Sequence, residues 1–173
     1  ANIDRDLEAL KKYAPDTLII KDCSDDIACI AVQGPKSEEI LKRVLDLSLE
    51  TLGYYRFKIN ESFGEKIWMS RTGYTGEDGF EFFSSGKTAV NLWNTLAAAS
   101  KTEEILPIGL GARNTLRLEA GNVLYGNDLD ETYTPLEAGL SWAVSLSKGG
   151  FVGRDMLLRQ KESGLRRQLV GFK

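Results

Sequence analysis

"RTGYTGEDGFEFF", residues 71–83, sets three glycines, two threonines and an acidic pair ahead of an aromatic run. Three readings compete: a phosphate-cradling loop, a hairpin turn, or the rim of a pocket for something flat and polar. The first fails. A Walker loop needs G-x-x-x-x-G-K-[ST] between a strand and a helix, whereas Gly73 to Gly79 contains no lysine and leads into a strand. A dinucleotide-binding loop must likewise open a helix. Asp78-Gly79 is a strong hairpin signal and the glycines supply positive φ, so the stretch predicts a long turn between antiparallel strands. Whether that turn is also a pocket rim stays open at this level.

The strand that follows sharpens the question. Side chains alternate along "GFEFF" (79–83), so Phe80 and Phe82 face one way while Glu81 and Phe83 face the other. With helices over the Phe80/Phe82 face, Glu81 lies on the opposite face among aromatic neighbours. A carboxylate there is costly unless a donor meets it. That donor is either an arginine such as Arg71 or a ligand presenting two adjacent N–H groups in one plane.

Working outward, "NIDRDLEALKKYA" (2–14) sets Ile3, Leu7, Leu10 and Ala14 on one helical face behind an Asn2 cap. "TLIIKDC" (17–23) and "IACIAVQG" (27–34) read as paired strands, and "GPKSEEILKRVLDL" (34–47) as a helix carrying Ile40, Leu41, Val44 and Leu45. "YYRFKINES" (54–62) and "GEKIWMSRTG" (64–73) form a hairpin. "KTAVNLWNTLAAASK" (87–101) predicts a helix with Val90, Trp93 and Leu96 or Ala97 on its stripe, and "PIGLGARNTLRLEAG" (107–121) another. "YGNDLDETYTPLEAGL" (125–140) is loop, "SWAVSLS" (141–147) a strand, "GRDMLLRQKES" (153–163) a helix and "RRQLVGFK" (166–173) a last strand. The order predicts an α+β fold: a largely antiparallel sheet with helices packed on one face.

Arg113 and Arg117 share a helix face at i, i+4. Salt bridging at a solvated face is one reading. The other follows from Leu110, Leu116 and Leu118, which predict a largely buried helix and a guanidinium aimed into a cleft, where it suits a carboxylate. Trp142 reads equally as core or pocket wall.

Composition narrows the chemistry. The 173 residues carry a net charge of −3 with 42% hydrophobic and 27% charged side chains, a globular balance without the clustered basic face that nucleic acid requires. No apolar run approaches the ~20 residues that cross a bilayer. There is no histidine, which excludes Ser-His-Asp and Cys-His mechanisms within this chain and disfavours a zinc site. Cys23 and Cys29 read as free buried thiols of a protein in a reducing compartment.

Three stretches together resemble one family: "SRTGYTGEDGFEFF", "GLGARNTLRLEAGNVLYGNDLDETYTPLEAGLSWAV" and "GFVGRDMLLRQKESGLRRQLVGF". They look like the aminomethyltransferase, or T-protein, of the glycine cleavage system, and "IACIAVQGPKSEEIL" follows the same pattern. The resemblance implies binding of tetrahydrofolate, which accepts a one-carbon unit from an aminomethyl group on the lipoyl arm of a small carrier protein (H-protein). It implies no metal. By position Glu81 and Arg113 fall on the family's folate-contacting Glu and Arg, and Tyr74 and Trp142 on aromatic positions near the same ligand. A pterin ring presents an amino group beside a ring N–H, which suits Glu81. Arg113 would meet either a tail carboxylate or a pterin edge. The expectation is that the acid and the guanidinium serve one cavity.

The family's catalytic aspartate lies in a motif upstream of the matched region, and its C-terminal β domain supplies a further arginine. No catalytic residue is therefore expected in this chain, which reads as the central part, residues 1–173, of a folate-binding domain. Asp128 and Asp130 read as loop caps. Folate-binding relatives in iron–sulfur assembly carry Lys-Gly-Cys-Tyr-x-Gly-Gln-Glu where this chain has "KGGFVGRD" (148–155), so Gly150 replaces the cysteine. Demethylases and sarcosine-type oxidases share the scaffold, but "LYGNDLDETYTPLEAGLSW" reads as the T-protein version. The resemblance implies the cytoplasm of a bacterium, or the mitochondrial matrix in a eukaryote.

Overall fold

A computed structural model describes residues 2–102 and 104–171. The chain divides into two compact units, Ala1–Gly73 with Glu77–Ile108, and Tyr74–Gly76 with Gly109–Lys173.

The first unit is built on a four-stranded sheet in the order β1-β4-β3-β2, formed by β1 (Ala28–Gln33), β2 (Phe57–Ser62), β3 (Glu65–Ser70) and β4 (Gly79–Ser84). All neighbours are antiparallel. The β2–β3 turn is Phe63-Gly64, both at positive φ (53° and 77°), the twist that matches a two-residue hairpin. Helices α1 (Ile3–Tyr13), α2 (Ser37–Leu45) and α3 (Gly86–Ala99) complete the unit. α2 and α3 pack on the sheet, and between them lies a core of Leu41, Leu49, Leu52, Ile67, Met69, Phe80, Phe82, Leu92 and Leu96. This is the α+β class that the strand and helix order predicts.

Two details depart from expectation. Residues 17–23 form no strand: β1 pairs with β4, Leu18 and Ile19 are exposed, and Asp22 accepts the Ser24 N–H (2.9 Å) and hydroxyl (2.6 Å) in a local turn. Apolar composition favours a strand only where a partner edge is supplied. On α3 the buried stripe is Thr88, Ala89, Leu92 and Leu96, while Val90 and Trp93 are exposed. The cap sets this rotation. Ser85 accepts the Thr88 N–H, and Glu65 on β3 accepts the hydroxyls of Ser85 and Thr88, each at 2.6 Å, so Thr88 turns inward.

The second unit contains α4 (Leu110–Glu119), a single 3-10 turn (Ser141–Ala143) and α5 (Arg154–Ser163). The strand expected at 141–147 is this turn followed by irregular chain, and residues 166–171 form no strand; Phe172 and Lys173 lie outside the described residues. Instead of a sheet partner, the 166–171 segment finds Glu137: Leu169 N–H donates to its backbone oxygen at 2.8 Å and Arg167 to its carboxylate at 3.2 Å. α4 is not the buried helix expected, since Leu110 and Leu118 are exposed and only Arg117 is buried.

Candidate functional site

β4 alternates as its sequence predicts. Phe80 and Phe82 are buried in the core; Glu81 and Phe83 are half-buried on the other face. Register shows what shares that face. One row across the sheet is Cys29, Phe83, Trp68 and Ile59, and the next is Ala31, Glu81, Ser70 and Phe57. Glu81 is the carboxylate of its row; the other side chains of these two rows are aromatic, aliphatic or small, and the charged pair Lys66 and Glu61 lies in the row beyond Trp68. Trp68, Ile59 and Phe57 on it are exposed.

Arg71 is not the partner of this carboxylate. Its guanidinium donates to Asp78 through Nε (2.9 Å) and Nη2 (2.6 Å), to Glu38 (2.8 Å) and to the Leu52 carbonyl (3.0 Å), and it stacks near Tyr54 and Phe80. That network ties the end of β3 to the start of β4 and to α2. Glu81 is met by Thr72, whose hydroxyl donates to Oε2. Among the described residues Oε1 accepts no hydrogen bond, and no buried polar side-chain atom is left without a partner, so Oε1 is accessible.

Two glycines of the opening stretch have a structural purpose that composition did not reveal. The Gln33 amide lies against both, and its Nε2 donates to the carbonyls of Thr72 (3.2 Å) and Phe80 (3.4 Å). A Cβ at Gly73 would come within 1.8 Å of Gln33 Oε1, and one at Gly79 within 2.4 Å of its Cδ. These positions are glycine so that Gln33 can clamp the turn. Gly79→Ala is expected to destabilise by ~0.5–1.5 kcal/mol, because the Gln33 amide, the end of a flexible side chain, must swing aside and give up its hydrogen bonds. In a Gln33→Ala background the cost should fall to a few tenths, because the obstacle is gone. Urea melts of the four proteins of this cycle test the coupling, and equal costs in both backgrounds would show that Gln33 is not the obstacle.

In the second unit, Tyr74 and Arg113 are brought together. The Arg113 guanidinium carbon stands 4.4 Å from the Tyr74 ring centroid, a cation–π stack. Tyr74 is fixed from two sides: its hydroxyl donates to the Val123 carbonyl (2.5 Å) and its own carbonyl accepts from Asn122 Nδ2 (2.8 Å). Arg113 is exposed and makes no ion pair among the described residues. The two arginines of α4 thus divide. Arg117, 3% exposed, donates to Asn114 Oδ1 (2.9 Å), the Asn122 carbonyl (3.0 Å) and Asp128, and is structural. Burial works against the Asp128 carboxylate, but the Leu124 N–H and Arg117 outweigh it and hold its pKa below the ordinary range. Asp130 caps Thr132 through its N–H and hydroxyl, both at 2.7 Å. Both aspartates are the loop caps expected. Trp142 lies on the 3-10 turn and is 83% exposed. Glu81 stands in the first unit; Arg113, Tyr74 and Trp142 stand in the second.

Nothing local in the sequence points to the roles of Thr72 and Gln33 or to the pairing of Arg71 with Asp78 and Glu38. The cysteines are free, but neither is buried as expected: Cys23 is half-buried in the turn before β1, and Cys29 is exposed because it falls on the outward face of β1. Among the described residues no group of three or more His, Cys, Asp or Glu could hold a metal, and no helix is long and apolar enough to cross a membrane.

An antiparallel sheet layered with helices on one face and carrying an accessible carboxylate on the other defines an α+β domain. Residues 1–148 match the GCVT N-terminal domain family, and the chain belongs to that family. It is 48% identical over 99% of its length to an aminomethyltransferase of Thermoanaerobacter sp. (strain X514), covering 47% of that protein. It is 46% identical to one of Thermotoga neapolitana, again over 99% of the chain and 47% of the relative. The crystal structure of glycine cleavage system aminomethyltransferase T from Bartonella henselae superposes with a TM-score of 0.81 at 32% identity, covering 94% of this chain and 44% of that one. The chain therefore spans about half the length of the relatives it matches, and the family resemblance drawn from its motifs is borne out.

Proposed function

We propose that this chain is the folate-binding part of a glycine cleavage aminomethyltransferase. In that reaction the aminomethyl carbon leaves the lipoyl sulfur of the carrier protein (H-protein) for tetrahydrofolate. Methylenetetrahydrofolate, ammonia and the dihydrolipoyl arm are the products. Similarity to aminomethyltransferases supports the reaction class. The observation that carries the site is Glu81: a half-buried carboxylate with one accessible oxygen, on a sheet face flanked by Phe83 and Trp68.

A pterin fits this arrangement. It is flat, so it can lie along an aromatic surface, and its amino group and adjacent ring N–H form the paired donors one carboxylate accepts. Charge-assisted bonds of this kind hold the ring in one orientation, and fixing the nucleophilic nitrogen in that way lowers the entropic part of the barrier. Arg113, braced on Tyr74 and paired with no acid among the described residues, is assigned to a folate carboxylate, and the exposed Trp142 indole to an apolar contact with folate. The proton and carbon transfer steps fall to groups other than these four.

Glu81→Ala in the intact protein that carries this chain should weaken tetrahydrofolate binding roughly 10- to 100-fold, the equivalent of ~1.5–3 kcal/mol for hydrogen bonds to a charged group. Isothermal titration measures it, and an unchanged Kd would remove Glu81 from the site. Ammonia release from aminomethylated carrier protein, dependent on added tetrahydrofolate, tests the reaction class separately.

A further inference from the structure

Glu81 does not stand alone on its face. Thr72 Oγ1 lies within hydrogen-bond reach of Glu81 Oε2 and 2.7 Å from Ser70 Oγ. A threonine hydroxyl has a single proton, and an ionised carboxylate can only accept. The Thr72 proton therefore points at Glu81, which leaves Ser70 as the donor at its 2.7 Å contact with Thr72, in preference to the Glu81 carbonyl 3.5 Å away. The result is a directed chain, Ser70 to Thr72 to Glu81, in which each link orients the next. Its base is rigid. Ser70 pairs with Glu81 across the β3–β4 ladder, and Gln33 Nε2 holds the Thr72 carbonyl at 3.2 Å. The Thr72 backbone is thus pinned by one group and its hydroxyl by another, while Glu81 Oε1 is left accessible.

We propose that Thr72 is a positioning residue for Glu81, with Ser70 as its support: it holds the carboxylate in the rotamer that presents Oε1 and the outer lone pair of Oε2 to the paired donors of a pterin. This rests on the reading of Glu81 as a folate contact. Without the Thr72 bond the side chain regains its χ freedom, and the ligand must order it on binding. The hydroxyl is the part that matters, so a serine at this position should serve nearly as well and a valine should not.

The test is tetrahydrofolate titration with the intact protein and its Thr72→Val, Thr72→Ser, Ser70→Ala and Glu81→Ala variants, with melting temperatures measured alongside. Thr72→Val should raise Kd about tenfold, comparable to losing one hydrogen bond to a charged group. Thr72→Ser should stay within about twofold of wild type. Ser70→Ala, one link further out, should raise Kd about threefold and keeps the proposal testable where Thr72→Val loses its fold. Positioning is distinguished from a general structural role by the cycle with Glu81→Ala: once the carboxylate is gone, Thr72→Val should change Kd less than twofold. An equal effect in both backgrounds would overturn the proposal, as would Ser70→Ala and Thr72→Val both binding like wild type while Glu81→Ala binds weakly. If Glu81→Ala also binds like wild type, the folate reading of the face fails together with it.

Discussion

Replacing Arg71 with methionine is expected to cost the fold ~3–5 kcal/mol, the loss seen when one partner of a mostly buried ion pair is removed. Arg71 and Asp78 side chains are 14% and 16% exposed, so water can replace the lost guanidinium only in part. The variant keeps the aliphatic stem near Phe80 but leaves Asp78 and Glu38 uncompensated and the Leu52 carbonyl without its donor. The pH dependence gives the pair a signature. The Arg71 hydrogen bond, with the Gly79 N–H and the Tyr54 hydroxyl adding to it, holds the Asp78 carboxyl below its ordinary range. A depressed acid contributes stability that is fully present above its unfolded pKa of about 4 and is lost as pH falls through the lower folded value. The stability gap between wild type and Arg71→Met should therefore be constant from about pH 7 to 5 and narrow below about pH 4. Urea melts across that range measure it. A gap independent of pH would mean that Arg71 acts through packing alone.

Phe80→Ala should cost a comparable ~3–5 kcal/mol, by a different route. Phe80 is fully buried between the sheet and its helices, in a cluster with Leu41, Leu52 and Phe82. Removing the ring loses its transfer free energy and leaves a cavity that β4 cannot collapse into, because Phe80 lies next to the residue that must stay on the opposite face. Phe83→Ala, one face over, should cost well under half as much, since that ring is only half-buried. Denaturation of the two variants side by side reports which face of β4 is the core. Equal losses would contradict the assignment of faces on which the Glu81 site depends.

The alternation of "GFEFF" carried most of what could be read ahead of the structure. A period of two puts Glu81 opposite the core wherever β4 pairs, so its place on the outward face followed from three neighbouring phenylalanines. The α+β class followed from the order of apolar patterns. What identifies Glu81's partner is a different kind of information. Arg71 opens the turn and is chemically suited to Glu81, yet it reaches Asp78 and Glu38, because the loop geometry and the position of α2 decide which acid lies within range. Gln33 meets Gly79 only in the β1–β4 register, and nothing local to either residue encodes that pairing. The predicted strand at 17–23 failed for the same reason from the other direction: propensity was present and a partner edge was not. On α4, spacing put Arg113 and Arg117 on one face but could not say which is buried; the Asp128 loop, eleven positions beyond Arg117, settles it.

The decisive measurement is a crystal structure of the intact protein with tetrahydrofolate bound. In it the pterin amino group and ring N–H should both lie within hydrogen-bonding distance of the Glu81 carboxylate, with Thr72 still donating to Oε2. A pterin bound away from this sheet face, making no contact with Glu81, would contradict it.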